Sequence, residues 1–330
     1  MNKTTHRLSL VAATASFLVL AWAPARADDK PGTGLTICIS LDKVNASREG
    51  QLKMWRKNAA LLGVKLIEEV AGEDAQRQSS QVDTCIAKKV DGIISIPWDY
   101  QAVLQDIERA HAAGIPFATM DQAPADLTTV DFHIGADPYA DGLHGGQNLV
   151  KLVGDKPIKV VDIQGALSHA NGQGRDKGFK DGIKDHPNIQ IVSEIPTDWH
   201  PEPVVGGMEN ALQANPDIGA VWVASDGMLP PLWSALQKAN KYTKVGAANH
   251  VIVESVDGDP QGCAGVRDGW MDSGYAQPFE LMTRKTEEAI IQIAKTKKPL
   301  ADKDRVLQIP SIEYTSVNFA TAKSEVWGCE

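Results

Sequence analysis

The strongest constraint in this chain is a rhythm that runs through once and then starts again. Short Val- and Ile-rich runs alternate with longer amphipathic stretches. Residues 35–40, 64–69, 92–96, 116–120 and 132–135 read as strands, with helices at 50–62, 75–89 and 100–113 between them. Gly63 and Gly114 stop two of the helices and Pro97 closes the third strand. From residue 137 the pattern restarts. Helices at 137–153, 171–184, 201–214 and 228–239 alternate with strands at 158–164, 190–196, 220–224 and 244–248, and a late helix covers 278–295. Short apolar strands joined by helical connections imply parallel sheets covered on both faces. Two such runs imply two doubly wound α/β lobes. A length of 330 residues is long for one core and comfortable for two.

That architecture says where function belongs. In open parallel sheets, ligands bind outside the carboxyl ends of the strands. After the first strand come Asp42, Lys43, Asn45, Ser47 and Arg48. Trp98 and Asp99 follow the third, and Asp121 and Gln122 the fourth. In the second run, residues 168–173, ending at Gln173, follow one strand, and Asp198 and Trp199 the next. Ser225 and Asp226, then Asn249 and His250, follow the last two, and Gln277 precedes the late helix. Carboxylates, amides and guanidinium groups are the donors and acceptors that hydroxyls need. A Trp face suits the C–H face of a sugar. The expected ligand set is therefore Lys43, Asn45, Ser47, Arg48, Trp98, Asp121, Gln122, Gln173, Trp199, Ser225, Asp226, Asn249 and Gln277. Trp55, Trp222, Trp233 and Trp270 fall inside elements or near loops and read as packing.

The start of the chain reads as an export leader. Lys3, His6 and Arg7 precede a short apolar stretch from Leu8 to Trp22, and Ala25-Arg26-Ala27 is a small-x-small cleavage site. The apolar stretch is short for a spanning helix, which needs about 20 residues. Cleavage at Ala27 places the product in the periplasm. Of 33 basic residues the leader removes Lys3, Arg7 and Arg26, which leaves 30 against 42 acids and a mature charge of −12. So acidic a chain is unsuited to nucleic acid or anionic lipid. An oxidising compartment makes disulfides expected of the four cysteines. Cys263 with Cys329 is the favoured pair, both lying in Gly-flanked, loop-like segments, whereas Cys38 and Cys85 also fit as buried thiols.

The chain has no G-x-S-x-G, P-loop, H-E-x-x-H or Cys/His ligand spacing, so no catalytic, metal or cofactor site is expected. Asp121 and Asp226 could pair as acid and base in a glycosidase. Two acceptors for sugar hydroxyls is the simpler reading. A DNA-binding repressor would need a helix-turn-helix where the leader stands.

The order and spacing of several segments carry a resemblance. They are Ala59-Ala60-Leu61-Leu62-Gly63-Val64, Lys89-Val90-Asp91-Gly92-Ile93-Ile94, A-H-A-A-G-I-P at 110–116 and Phe117-Ala118-Thr119-Met120-Asp121. His133-Ile134-Gly135-Ala136-Asp137, Gly174-Arg175-Asp176-Lys177-Gly178-Phe179, the run N-P-D-I-G-A-V-W at 215–222 and Ala224-Ser225-Asp226 continue it. Together these resemble the periplasmic sugar-binding proteins of the ribose/galactose type, which are type I periplasmic binding proteins serving ABC importers. The resemblance spans about 35–317. It implies a two-lobe clamp joined by three crossovers, near Ala136-Asp137, Ala276-Gln277 and Ser311-Ile312. The lobes would then be 28–136 plus 277–311 and 137–276 plus 312–330, after a leader at 1–27. It further implies a sugar or polyol held in the cleft and passed to an inner-membrane ABC permease. The alternative is a sensory protein feeding a chemoreceptor or sensor kinase.

By position, Asp121 matches the family's hydroxyl-binding aspartate, Trp199 a stacking aromatic, Asp226 the end of an Asn-Asp pair with Ser225 in place of Asn, and Gln277 a hinge-side glutamine. Departures are also visible. Ser47 and Arg48 replace an aromatic pair, the binding arginine falls on Gln173 with Arg175 left to the helix beyond, and a late Asp followed by Gly is replaced around Asn249-His250. These changes make ribose itself doubtful and leave room for another pentose, a polyol, or a negative group facing Arg48 or Lys43.

Overall fold

The computed structural model describes residues 30–329, so the expected leader lies outside the described residues. Among the described residues no helix is long and apolar enough to cross a membrane. The first run of elements is β1 (Thr36–Leu41), α1 (Ala46–Leu62), β2 (Lys65–Val70), α2 (Ala75–Ala87), β3 (Gly92–Ser95), α3 (Val103–Ala112), β4 (Phe117–Met120) and β5 (Phe132–Ala136). The second is α4 (Pro138–Val153), β6 (Ile158–Gln164), α5 (Ala170–Ile183), β7 (Ile189–Pro196), α6 (Glu202–Ala214), β8 (Ile218–Val223), α7 (Leu229–Lys238), β9 (Ile252–Asp257), α8 (Pro260–Arg267) and β10 (Ser273–Ala276). The chain then returns through α9 (Phe279–Thr296) and β11 (Val306–Ile309) before β12 (Ile312–Thr315).

Two sheets result, ordered β2-β1-β3-β4-β5-β11 and β7-β6-β8-β9-β10-β12. Every pairing is parallel except β10 with β12. Both sheets carry the 2-1-3-4-5 order of a doubly wound fold, with the switch point beside β1 in one and β6 in the other. The backbone passes between sheets three times, after β5, after β10 and after β11. These are the crossovers of a two-lobe clamp.

Period-2 alternation explains the cores. Ile37, Ile39 and Leu41 pack with Trp55 of α1 and Ile290 of α9, while Cys38 faces the other way among residues of α2 and α3. Each such fully buried aliphatic side chain contributes roughly 1.5–3 kcal/mol. A disulfide joins Cys38 to Cys85 and so ties β1 to α2. In the second lobe Val161 and Ile163 face one cluster and Val160 the other.

α4 and α5 approach more closely than side chains would allow. A Cβ on Gly142 would stand 2.1 Å from the Arg175 carbonyl, and one on Gly178 would stand 2.1 Å from the Tyr139 carbonyl. Only glycine fits such a seam. It presses α5 onto α4, with Phe179 stacked on Trp222 at 5.0 Å beneath, and fixes where the first turn of α5 points.

Three parts of the fold depart from the sequence expectation. α1 begins at Ala46 rather than Gly50, because the Asn45 side chain accepts from the Arg48 N–H and caps the helix there. The stretch 244–248 is a turn, not a strand. Val245 N–H donates to Gly269, Ala247 N–H to Lys244, and Gly246 has φ 86°. The strand at this place in the sheet is β9, whose buried Glu254 and Ser255 conceal it in a hydropathy pattern. Burial pushes the Glu254 carboxyl up to about 8, and the Tyr275 hydroxyl lies 3.1 Å from it. Finally, the tail crosses between lobes. Cys329 is joined to Cys263 of α8, yet Trp327 packs on the first-lobe core beside Phe279 at 5.5 Å and donates to the Asp257 carbonyl at 2.8 Å.

Candidate functional site

The carboxyl ends of both sheets face one cleft of about 240 Å³. The first lobe supplies the loop after β1 and the first turn of α1. Asp42, Lys43, Asn45, Ser47 and Arg48 all line it. Arg48 is buried, with Nε and Nη2 each 2.8 Å from the two oxygens of Asp42 and Nη1 2.7 Å from Asp121 Oδ2. Burial works against its charge, but these two carboxylates hold the guanidinium firmly protonated. Asn45 stands at the mouth with its side-chain oxygen spent on the α1 cap. Lys43 Nζ lies 3.0 Å from Glu73 Oε1. Asp121 and Gln122 come from the end of β4, both buried.

The second lobe supplies the N-terminus of α5 and the ends of β7, β8 and β9. Asn171 and Arg175, one helical turn apart, project into the cleft. Arg175 donates to the Ala224 carbonyl at 2.7 Å and Asp257 Oδ1 at 3.1 Å, and its Nε lies 3.8 Å from Asp141. Asp257 also accepts from Ser225 Oγ at 2.5 Å and Gln277 Nε2 at 2.8 Å, which ties β8, β9 and the hinge together. Trp199 forms a wall. Its ring lies over Gly165, where a Cβ would stand 2.2 Å from it, and 5.8 Å from the Arg175 guanidinium. Asp259 and Gln261 at the start of α8, with Met228 and Phe279, complete the lining. Burial pushes the Asp259 carboxyl up to about 6.

The lobes already touch. Asn171 Nδ2 donates to Asp121 Oδ1 at 2.9 Å, and Lys43 Nζ lies 3.4 Å from the Trp199 carbonyl. Asp121, Trp199 and Asp257 have φ of 65°, 66° and 114°. Side chains rarely adopt such backbone, and strain of this kind clusters at ligand clamps.

The periplasmic binding protein domain matches residues 42–298, well over half the chain. The chain belongs to the periplasmic binding protein family. It is 28% identical over 267 residues to the ribose import binding protein of Bacillus subtilis, covering 80% of this chain and 83% of that one. It is 29% identical to the D-apiose import binding protein of Paraburkholderia graminis, over 72% and 74% of the two chains. Among solved structures, a galactofuranose binding protein aligns with TM-score 0.79 and 22% identity, over 88% of this chain and 99% of the other.

Within this periplasmic binding protein, four of the expected residues stand apart from the cleft lining. Gln173 is exposed and donates to the Leu167 carbonyl. Two residues along a helix is about 200°, so Gln173 faces away from Asn171 while Arg175 returns to the same face. Asn249 is exposed in the turn before β9. Asp226 is wholly buried behind the lining and accepts from the Gly258 and Asp259 N–H groups at 2.8 and 2.9 Å. Burial, with Asp259 and Asp257 close by, pushes its carboxyl far above the usual range, and no acid/base pair with Asp121 faces a shared ligand. Trp98 sits at the rim, edge-on to His169 with centroids 5.6 Å apart.

Asp42, Asn171, Arg175, Asp257, Asp259 and Gln261 line the cleft without standing in the expected set. The signal for Asp257 was present: it is an Asp followed by Gly at a strand end. The i, i+4 pair of Asn171 and Arg175 was likewise legible as a helix face. Behind α5, Asp162, Asp176 and Glu194 gather their oxygens, and the Lys180 ammonium already bonds Asp176 and Glu194.

Proposed function

We propose that this protein captures one neutral sugar or polyol between its lobes, closes over it and delivers it to an ABC permease in the inner membrane. Charge pairing carries the reading. Each cation that reaches the cleft already holds a carboxylate: Lys43 with Glu73, Arg48 with Asp42 and Asp121, Arg175 with Asp257. An anion would have to break one of these pairs in a buried setting. A hydroxyl instead donates to the carboxylate and accepts from an N–H without disturbing either. Trp199 offers the flat apolar wall that a C–H face needs. The ribose and apiose named in the curated relatives have this chemistry, and a monosaccharide suits the cavity volume.

In this reading Lys43, Ser47, Arg48, Asp121, Gln122, Asn171, Arg175, Trp199, Ser225, Asp257 and Gln277 contact ligand. The lobes divide as 28–136 plus 277–311 and 137–276 plus 312–330, and the leader is removed at Ala27 on export. Contacts from both lobes favour the closed form once ligand is present. A ligand lacking one hydroxyl leaves a buried partner unpaired, a cost of about 1–3 kcal/mol or roughly tenfold or more in affinity. The role is capture, not catalysis.

The test is a thermal-shift screen of the protein recovered from the periplasm. The compounds are D-ribose, D-apiose, xylitol, ribose 5-phosphate, D-glucuronate and adenosine. Ligand that binds only the folded state raises the Tm. A shift with a neutral sugar or polyol is expected. A shift confined to the anions would overturn the neutral-ligand reading, and silence across sugars and polyols would sink the capture of either.

A further inference from the structure

His169 stands at the N-terminus of α5, outside the cleft lining, and belongs to neither of the charge networks above. Its Nδ1 lies 3.1 Å from Nε1 of Trp199. Its ring meets that of Trp98 edge-on, with centroids 5.6 Å apart and planes at 87°. Trp199 belongs to the second lobe and Trp98 to the first, so this half-buried imidazole joins the aromatic wall of one lobe to the rim of the other.

We propose that His169 is a positioning residue that works only as a neutral imidazole: it holds the Trp199 indole in its cleft-facing orientation, docks it on Trp98 as the lobes close, and thereby makes ligand affinity fall as the medium acidifies. This rests on the reading of the cleft as a ligand clamp. An indole N–H donates and never accepts. Nδ1 must therefore carry a lone pair. Protonation turns that acceptor into a second donor aimed at the first, and Trp199 loses what orients it. Trp199 has φ 66°, a backbone state that its own local preferences do not maintain.

The surroundings disfavour the cation. Burial lowers the pKa of the ring below the ordinary imidazole range; Asp42 opposes this, as do the Trp98 backbone and Asp99, while Lys43 adds to it. The N-terminus of α5 also repels positive charge. Opening the lobes takes the ring away from Trp98 and back to water, so its pKa returns toward about 6.5. Closure thus releases a proton. Affinity is fully present above the ordinary imidazole pKa and is lost as pH falls toward the depressed one. A second imidazole, His200, also spans the lobes, with Nε2 3.6 Å from Glu73 Oε2, and the test replaces it so that His169 is read alone.

The test measures affinity from pH 8 to pH 5 for D-ribose, D-apiose and xylitol, using the protein recovered from the periplasm in a His200→Gln background. Affinity should fall by up to about tenfold per pH unit in the acid range. His169→Asn keeps an acceptor near the place of Nδ1 and cannot titrate. It should bind within a few-fold of its parent at pH 8 and give a flat profile. His169→Phe keeps a ring without the acceptor and should bind about tenfold more weakly at pH 8, again without slope. A parental slope in His169→Asn, or parental affinity in His169→Phe, overturns the proposal. If none of the three compounds binds at pH 8, the sugar reading fails separately, and nitrogen NMR of the histidines decides this one. A proton on Nδ1 of neutral His169 overturns it. A bare Nδ1 that accepts the Trp199 indole N–H supports it.

Discussion

The two lobes share a strand order and differ in how each holds its arginine. In the first, Arg48 is gripped within eight residues of chain: Asp42 leaves β1, Asn45 caps α1, and Arg48 folds back onto Asp42. Gln51 of α1 adds its Oε1 at 3.4 Å, and Asp121 comes from the end of β4. In the second, Arg175 depends on α4, α5, β8 and β9 at once, through Asp141, Ala224 and Asp257. The glycine seam between α4 and α5 sets their spacing. One topology thus supports a local anchor in one lobe and a distributed anchor in the other. The lobes also differ in buried acid. The second hides Asp162, Asp226 and Glu254, each pushed well above its usual pKa mainly by burial. The first hides Glu287, raised to about 8, and Asp106, also raised, both mainly by burial.

The largest expected effect tests the local anchor. Arg48→Met leaves Asp42 and Asp121 as uncompensated buried carboxylates and should cost roughly 3–5 kcal/mol in urea unfolding. A loss below about 1 kcal/mol would mean the grip is not an anchor. Next comes the distributed one. Gly178→Ala forces α5 off α4 and should cost roughly 1–3 kcal/mol. Ligand affinity should weaken with it, because Arg175 moves. Unchanged affinity would separate the seam from the site. Asp121→Ala and Trp199→Ala should each weaken binding by roughly tenfold or more while the protein still melts cooperatively. Near-parental affinity in both would remove them from the site.

The acid difference has its own signature. A carboxyl raised from 4.5 to about 8 in the folded state binds a proton that the unfolded chain has released. Its stabilisation is complete below about 4.5 and is lost as pH rises through about 8. Glu254→Gln should therefore flatten the fall in Tm between pH 5 and 9, and Glu287→Gln should do the same from the other lobe. Equal slopes in parent and variants would count against both. The smallest effect is a control: a Cβ on Gly206 of α6 meets nothing within 4 Å, so Gly206→Ala should gain roughly 0.5–1 kcal/mol.

The same contrast explains what could be read in advance. The first-lobe site lies on two short loops at unmistakable strand ends, after β1 and after β4, so Lys43, Ser47, Arg48, Asp121 and Gln122 are legible as a group. The second-lobe site needed helix phase and strand position together. Gln173 and Arg175 differ by two residues and by opposite faces of α5. Asp257 is hidden because Glu254 and Ser255 make β9 look polar, and 244–248 offers an extended-looking stretch in its place. Local chemistry is written in local sequence, whereas a site assembled from four elements is written in their packing.

The positive φ angles of Asp121, Trp199 and Asp257 bear on how such a chain drifts under selection. At each position glycine would relax the backbone, and asparagine would do so at the two in the left-handed helical region. Of the three, Trp199 holds no ion pair, whereas losing Asp121 or Asp257 would strip a buried arginine of a partner. A screen rewarding thermostability alone would therefore erode the clamp at Trp199 before the two aspartates, and a transport-coupled growth selection would drive Trp199 the other way.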